Sequence, residues 1–412
     1  MIIALFPNDN RGRAPVAAWR KLSDLRGMIA AIDPLPVPEV FVPFAEELIG
    51  VATVRDLAAA LRVVAPRSKP AAVVAAETAI APLSLRERSD LLRDALLEDL
   101  PGDYASFAAV IRSAAERAPT FTGWLIWPVT SAVAVKAIEQ GGTEAFDDAL
   151  SLLADLTHRL TSEFALRTLL DHDLGRALAT ITGWTGSDSP DVRRLASEGT
   201  RPMLPWAARV PGILAEPKAT LPILNALYRD GSEYVRRSVA NHLNDISRRE
   251  PELAVATAAD WLAEPGEDSA AIGKTVRHAL RTLVKQGHPG ALGLLGFAPA
   301  RVDVTGPLLS ADEVEIGAAL TFAATVRNLA AEPVCLAIDY IVHHRKANGT
   351  TAGKTFKLAT RVLGPGESCD LNREHSFRVI TTRRYHPGAH ALELQINGVR
   401  FGRAGFELLA AR

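Results

Sequence analysis

The feature that most limits what this chain can fold into is a repeat. Val192-Arg193-Arg194 recurs as Val235-Arg236-Arg237 after 43 residues, and Val276-Arg277-His278 follows after another 41. Upstream of the first two copies, Leu178, Ile181 and Trp184 match Leu221, Leu224 and Leu227 at the same offset. Apolar residues three apart share one face of a helix. A period of about 40–47 residues built from helices marks a HEAT-like solenoid, in which each unit buries its apolar face only by stacking on its neighbours.

At 412 residues the chain exceeds one ordinary core and predicts about two or three domains. Residues 1–42 read as a poorly defined extension, with one helix near 15–32 and a linker in which Pro34, Pro36 and Pro38 forbid helix and favour extended chain. Residues 43–298 read as the solenoid, cut into helices of ordinary length by Pro66, Pro70, Pro101-Gly102, Pro128 and Gly141-Gly142. Trp124 and Trp127 flank one break and are expected in the packing between helices. After Pro299 the period changes to two. Leu320, Phe322, Ala324 and Val326 alternate, then Leu336, Ile338, Tyr340 and Val342, then Phe356, Leu358, Thr360 and Val362, then Leu392, Leu394 and Ile396. Gly364-Pro365-Gly366 predicts a turn and Asn397-Gly398 a two-residue hairpin. Residues 300–412 therefore predict a small all-β sandwich of immunoglobulin type. The fold class is mainly α: a HEAT-like α-solenoid followed by that sandwich.

Composition excludes several classes. No apolar run approaches the ~18–20 residues that cross a bilayer, and no basic region precedes the short apolar run at the N-terminus, so the expectation is a cytoplasmic protein without a membrane partner. Cys335 and Cys369 are too few for a disulfide framework or a cysteine-rich zinc site and predict two unpaired thiols. Phosphate-binding, dinucleotide, zinc-protease and serine-hydrolase signatures are missing, and neither cofactor nor metal is expected. The net charge is −1, yet residues 345–403 hold eleven Lys and Arg against four acids, a balance of +7. Such a segment suits either phosphate contact or scattered surface charge.

What remains is a set of acids and aromatics at the helix ends of successive repeats. Glu163, Glu198 and Asp245 fall in neighbouring units beside Arg193, Arg194, Arg236 and Arg237, and could converge on the concave face of a solenoid. Arginine–acid ladders between repeats explain the same pattern without any chemistry. Pro202 and Pro205 hold Trp206 on a loop rather than in a helix, where an indole is either exposed to a sugar or base or buried. Two readings follow: an enzyme, or a non-catalytic scaffold that binds DNA or protein. Convergence of the acids and Trp206 on one face favours the enzyme.

Ser162-Glu163-Phe164-Ala165-Leu166-Arg167, Val192-Arg193-Arg194-Leu195-Ala196-Ser197-Glu198-Gly199, Arg201-Pro202-Met203-Leu204-Pro205-Trp206 and Arg236-Arg237-Ser238-Val239-Ala240-Asn241-His242-Leu243-Asn244-Asp245-Ile246 resemble the AlkC branch of the AlkC/AlkD DNA alkylation-repair glycosylases. The likeness continues through Leu294-Leu295-Gly296-Phe297, and Ile380-Thr381-Thr382-Arg383-Arg384-Tyr385 resembles the immunoglobulin-like domain of some members. The family pattern is usually basic where this chain has Met203. The resemblance implies a glycosylase that grips double-stranded alkylated DNA across a concave basic surface and releases cationic N3-alkylated bases, 3-methyladenine and 3-methylcytosine, without swinging them into a deep pocket; the expected state is a monomer. It implies Glu163, Glu198, Asp245 and Trp206 as the active site, with Arg194 on the DNA-facing side. Arg193, Arg201, Arg236 and Arg237, with Lys357, Arg383 and Arg384 of the basic segment, complete the expected DNA-binding set.

Overall fold

Sixteen α-helices and then eight strands follow one another among the described residues, with no return to helix after the strands begin. The computed structural model describes residues 45–412 except 66–68, 265, 267, 381, 382 and 412. The expected extension at 1–42, with its helix and proline-spaced linker, lies outside these residues.

The helices are α1 (Val51–Val64), α2 (Ala71–Ala79), α3 (Leu85–Asp99), α4 (Tyr104–Arg117), α5 (Ile126–Gln140), α6 (Thr143–Leu156), α7 (Glu163–His172), α8 (Leu174–Gly183), α9 (Pro190–Gly199), α10 (Pro211–Ala215), α11 (Leu221–Leu227), α12 (Glu233–Ile246), α13 (Pro251–Ala263), α14 (Ser269–Ala279), α15 (Arg281–Gln286) and α16 (Pro289–Leu294). Their starts are written locally. Ser84 and Glu87 form a capping box at α3, the Asp103 carboxylate accepts from the Ser106 amide at α4, and Pro190 opens α9 where a missing N–H costs nothing. Helices α9, α12 and α14 carry the three copies of the repeat and pack in that order, joined by buried Leu195, Val235, Val239, Leu243 and Val276. Gly199 lets α9 close on α7, because a Cβ there would stand 2.4 Å from Leu166 Cδ2. Trp127 is buried as expected, but Trp124 is only half-buried.

The strands form two sheets. One has the order β1 (Val302–Leu309), β3 (Ala319–Asn328), β6 (Ser368–Ser376); the other has β2 (Glu313–Glu315), β8 (Val399–Leu409), β7 (Gly388–Ile396), β4 (Val334–Arg345), β5 (Thr351–Leu363). Leu320, Phe322, Val326, Leu336, Ile338, Tyr340, Leu392 and Leu394 fill the core between them, as their alternation requires. The expected alternation in β5 fails beyond Leu358. Ile338 pairs with Ala359 but Asp339 with Lys357, so Leu358 is an extra residue, and a bulge reverses which residues face inward. Val362 is consequently exposed and Leu363 buried. In β4 the second face is buried too: Ala337 and Asp339 lie against the last helices. The Asn397-Gly398 hairpin makes the joint. The Asn397 amide donates to the Ala298 carbonyl at 2.7 Å and the Gln395 amide to the Lys285 carbonyl at 3.1 Å. Gly398, at φ 84°, leaves no room for a Cβ beside the Gly287 carbonyl. Cys335 and Cys369 are unpaired, and among the described residues no helix is long and apolar enough to cross a membrane.

Candidate active site

Three successive units of the solenoid each deliver one carboxylate to a single run of alternating charges. Glu163 stands in the first turn of α7, where a helix N-terminus favours an acid. Arg194 and Glu198 lie one turn apart on α9, Arg201 follows in the next loop, and Asp245 sits near the end of α12. Arg194 Nη1 donates to Glu163 Oε2, and the Thr161 hydroxyl donates to the same oxygen at 2.7 Å. Arg194 Nη2 lies 3.7 Å from Glu198 Oε1, which also accepts from Arg201 Nη1 at 2.5 Å. Arg201 Nε donates to Asp245 Oδ2 at 2.9 Å. All five side chains are buried. Three acids on two guanidiniums leave a formal charge of −1 in the run. Glu163 Oε1 and Asp245 Oδ1 accept no hydrogen bond from the described residues.

Burial raises the pKa of Glu163, and the Glu198 charge adds to the rise against the pull of Arg194. Burial also opposes ionisation of Glu198, but Arg194 and Arg201 together outweigh it and hold that carboxyl below its ordinary range. Arg194 and Arg201 are both raised, the acids beside them overriding the cost of burial. The set is stiffened by His242, wholly buried on α12, whose pKa burial pushes down to about 3. A carbonyl only accepts, so His242 Nδ1–H donates to the Ser197 carbonyl at 2.9 Å, and Nε2 accepts from the Thr220 hydroxyl at 3.0 Å. That neutral ring ties α12 to α9 between Glu198 and Asp245.

Trp206 is 43% exposed on the loop after Arg201, at φ 61°. Its indole meets Trp124 edge-on at 6.2 Å between centroids; Trp124 leads to Trp127, and Trp127 stacks on Phe164 at 4.0 Å. The aromatic row thus ends beside Glu163. Trp124, expected only in helix packing, backs the exposed indole. Tyr234, also exposed, carries the Arg194 guanidinium 5.3 Å above its ring, a neighbour that helical spacing alone does not reveal.

The expected DNA-binding arginines divide. Arg194 and Arg201 are enclosed and bonded to the acids, so neither presents a guanidinium to a phosphate. Arg193 is bonded to both oxygens of Asp230 and to the carbonyls of Ser187 and Asp188. Arg236 and Arg237 line a cavity of about 400 Å³ between α12 and α14, with Lys274, Arg277 and Arg281. Arg277 and Arg281 continue into a second cavity of about 370 Å³ at the junction with the sandwich, where Lys285 and Lys357 face Asp339. Burial lifts the Asp339 carboxyl to about 6 against the two lysines. Arg384 is exposed, whereas Arg383 lies over the rings of Phe356 and Tyr385, 3.3 Å from His344 Nε2. Met203 is half-buried and adds no charge. Among the described residues no group of three or more His, Cys, Asp or Glu is placed to hold a metal.

A helical solenoid with buried carboxylates bridged by arginines, followed by a sandwich, defines a HEAT-like repeat protein with an immunoglobulin-like appendage. A family model described as the C-terminal Ig-like domain of the uncharacterised protein YhaZ matches residues 303–410. Uncharacterized protein YhaZ of Bacillus subtilis (strain 168) is 34% identical over 318 residues, covering 77% of this chain and 85% of that protein. The structure of Pseudomonas fluorescens alkylpurine DNA glycosylase AlkC, bound to DNA containing an abasic site analog, superposes with a TM-score of 0.80 at 33% identity, covering 89% of this chain and 99% of that one. The chain belongs to the AlkC branch of the AlkC/AlkD HEAT-like repeat superfamily.

Proposed function

We propose that this protein is a DNA glycosylase that hydrolyses the N-glycosidic bond of cationic N3-alkylated bases, 3-methyladenine and 3-methylcytosine, in double-stranded DNA. The observation that carries the reading is the run of three carboxylates on two arginines, with Glu163 Oε1 and Asp245 Oδ1 accepting no hydrogen bond among the described residues.

An N3-alkylated base already bears a positive charge, so it leaves as a neutral molecule and needs no general acid. The glycosidic electron pair departs with the base, positive charge develops on the deoxyribose, and water adds at C1′ while its proton passes to a carboxylate. Fixed negative charge near the sugar lowers that barrier. Asp245 and Glu163 are the residues assigned to these tasks, one stabilising the sugar cation and the other orienting water. Glu198, hydrogen-bonded to Arg201 and ion-paired with Arg194, sets the charge between them. Trp206 offers an exposed π face to a cationic base or sugar, worth about 1–2 kcal/mol when desolvated. The basic cavities from Arg236 to Lys357 suit a DNA backbone running from the solenoid onto the sandwich.

The test is release of free base by the wild-type protein from duplexes that each carry one lesion. Release of 3-methyladenine and 3-methylcytosine, with uracil and hypoxanthine left in place, is expected because neutral bases need a proton this site does not supply. Release of the neutral bases at similar rates contradicts the mechanism. No release of any alkylated base promotes a scaffold, in which the arginine–acid run is mortar between repeats.

A further inference from the structure

Among the described residues Arg167 is the largest fully buried side chain and makes no ion pair, although its helix carries Glu163 one turn earlier. Its donors go to backbone instead. Nε donates to the Ala208 carbonyl at 2.9 Å, and Nη1 donates to the carbonyls of Gly199 at 2.9 Å and Arg201 at 2.8 Å. These acceptors bracket the loop that carries Arg201 and Trp206. A second arginine holds the loop from another element: Arg86, exposed on α3, donates from Nη2 to the Trp206 carbonyl itself.

The loop has reason to need both. Trp206 is one of two non-glycine residues with positive φ among the described residues, and a bulky side chain in that region stays there only where its surroundings over-determine it. Removing the loop's ties lets the backbone relax and carries the indole away from Trp124 and the row that leads to Glu163. Burying a guanidinium without a carboxylate is costly: burial pulls the Arg167 pKa down to about 10, and its Nη2 finds no hydrogen-bond partner among the described residues. A simpler polar residue would stabilise the helix packing at lower cost, but only the rigid fork of arginine reaches three carbonyls on both sides of one loop.

We infer that Arg167 and Arg86 are positioning residues that hold the Trp206 loop in its strained conformation, so that the indole is preorganised beside the carboxylate run. The inference rests on the glycosylase reading for its kinetic consequence and on the geometry alone for its structural one.

Both are measured on the full chain. Single-turnover release of 3-methyladenine is compared for wild type, Arg86→Ala, Arg167→Lys, Trp206→Ala and the two double variants, with melting curves beside them. Each arginine substitution is expected to slow release about tenfold or more, since a displacement of about 1 Å costs up to about 10²-fold. In the Trp206→Ala background the same substitutions are expected to cost less than about twofold, because the group they position is gone. Arg167→Lys keeps the charge but not the fork, and rescue to the wild-type rate would overturn the inference. Full multiplication of the losses in the double variants would also overturn it. If Arg167→Lys does not fold, the Arg86→Ala cycle decides, as that residue lies on the surface. Independently of turnover, acrylamide quenching of the Trp206 fluorescence, obtained as wild type minus Trp206→Phe, is expected to rise in Arg86→Ala. Unchanged quenching overturns the inference whether or not the protein releases base, whereas absence of release with raised quenching removes only the glycosylase reading.

Discussion

Single residues carry the charge that the proposed chemistry requires, and they carry it at a cost that pH exposes. Glu163 is raised by burial, so its proton is released only above the ordinary value of 4.5. If the ionised form acts, the rate of base release falls as pH drops through that raised value, and Glu163→Gln abolishes this limb of the profile while leaving a lower, flatter rate. A profile identical in the variant would remove Glu163 from the chemistry. Stability runs in opposite senses at the two glutamates. The raised Glu163 contributes stability at pH below 4.5 that is lost as pH rises through its folded value; the lowered Glu198 contributes stability above 4.5 that is lost as pH falls through its folded value. His242, pushed down to about 3, acts with Glu198: its contribution is complete above 6.5 and lost as pH falls from there towards 3. At this scale the sequence was partly legible. Glu163, Glu198 and Asp245 stood out by their motifs, but Arg201 read as a phosphate contact because spacing cannot tell a guanidinium facing solvent from one enclosed between two carboxylates. Arg167 lay inside a motif and gave no sign, since backbone carbonyls from a loop leave no trace in side-chain patterns.

Elements place those residues by close approach. The repeat of 43 residues was visible because α9 and α12 present the same faces to the same neighbours, and the stacking of α9, α12 and α14 follows it. Strand alternation located the sandwich core equally well, except where the bulge at Leu358 reversed the parity of β5, a local event that period-two reading cannot foresee. The Asn397-Gly398 turn was legible as a hairpin, but not as the joint with the helices, because docking depends on the absence of a Cβ facing Gly287. Gly398→Ala places that Cβ 2.6 Å from the Gly287 carbonyl at a φ of 84°. It is expected to cost about 1–3 kcal/mol, read as a lowered melting temperature. An unchanged melting curve would mean that the joint contributes nothing to stability.

Across solenoid and sandwich, a basic track lies beside an acidic centre. Arg236, Arg237, Arg277, Arg281, Lys285 and Lys357 run from the solenoid to the sandwich, while the carboxylates lie enclosed between arginines. Lys357 and Arg384 are exposed and Arg383 is engaged with aromatic rings, so the double substitution of Lys357 and Arg384 by Ala is expected to flatten the slope of log affinity against log salt by about 2. An unchanged slope would take the sandwich out of the DNA interface. The central claim is that negative charge at the carboxylate run drives bond cleavage, and single-turnover release of 3-methyladenine by Asp245→Asn, counted per folded molecule, tests it most directly. A fall of about 100-fold or more is expected, with affinity for undamaged DNA nearly unchanged, because shape is kept while one charge offered to a cationic transition state is lost. A lower melting temperature with wild-type turnover by the folded fraction would contradict it.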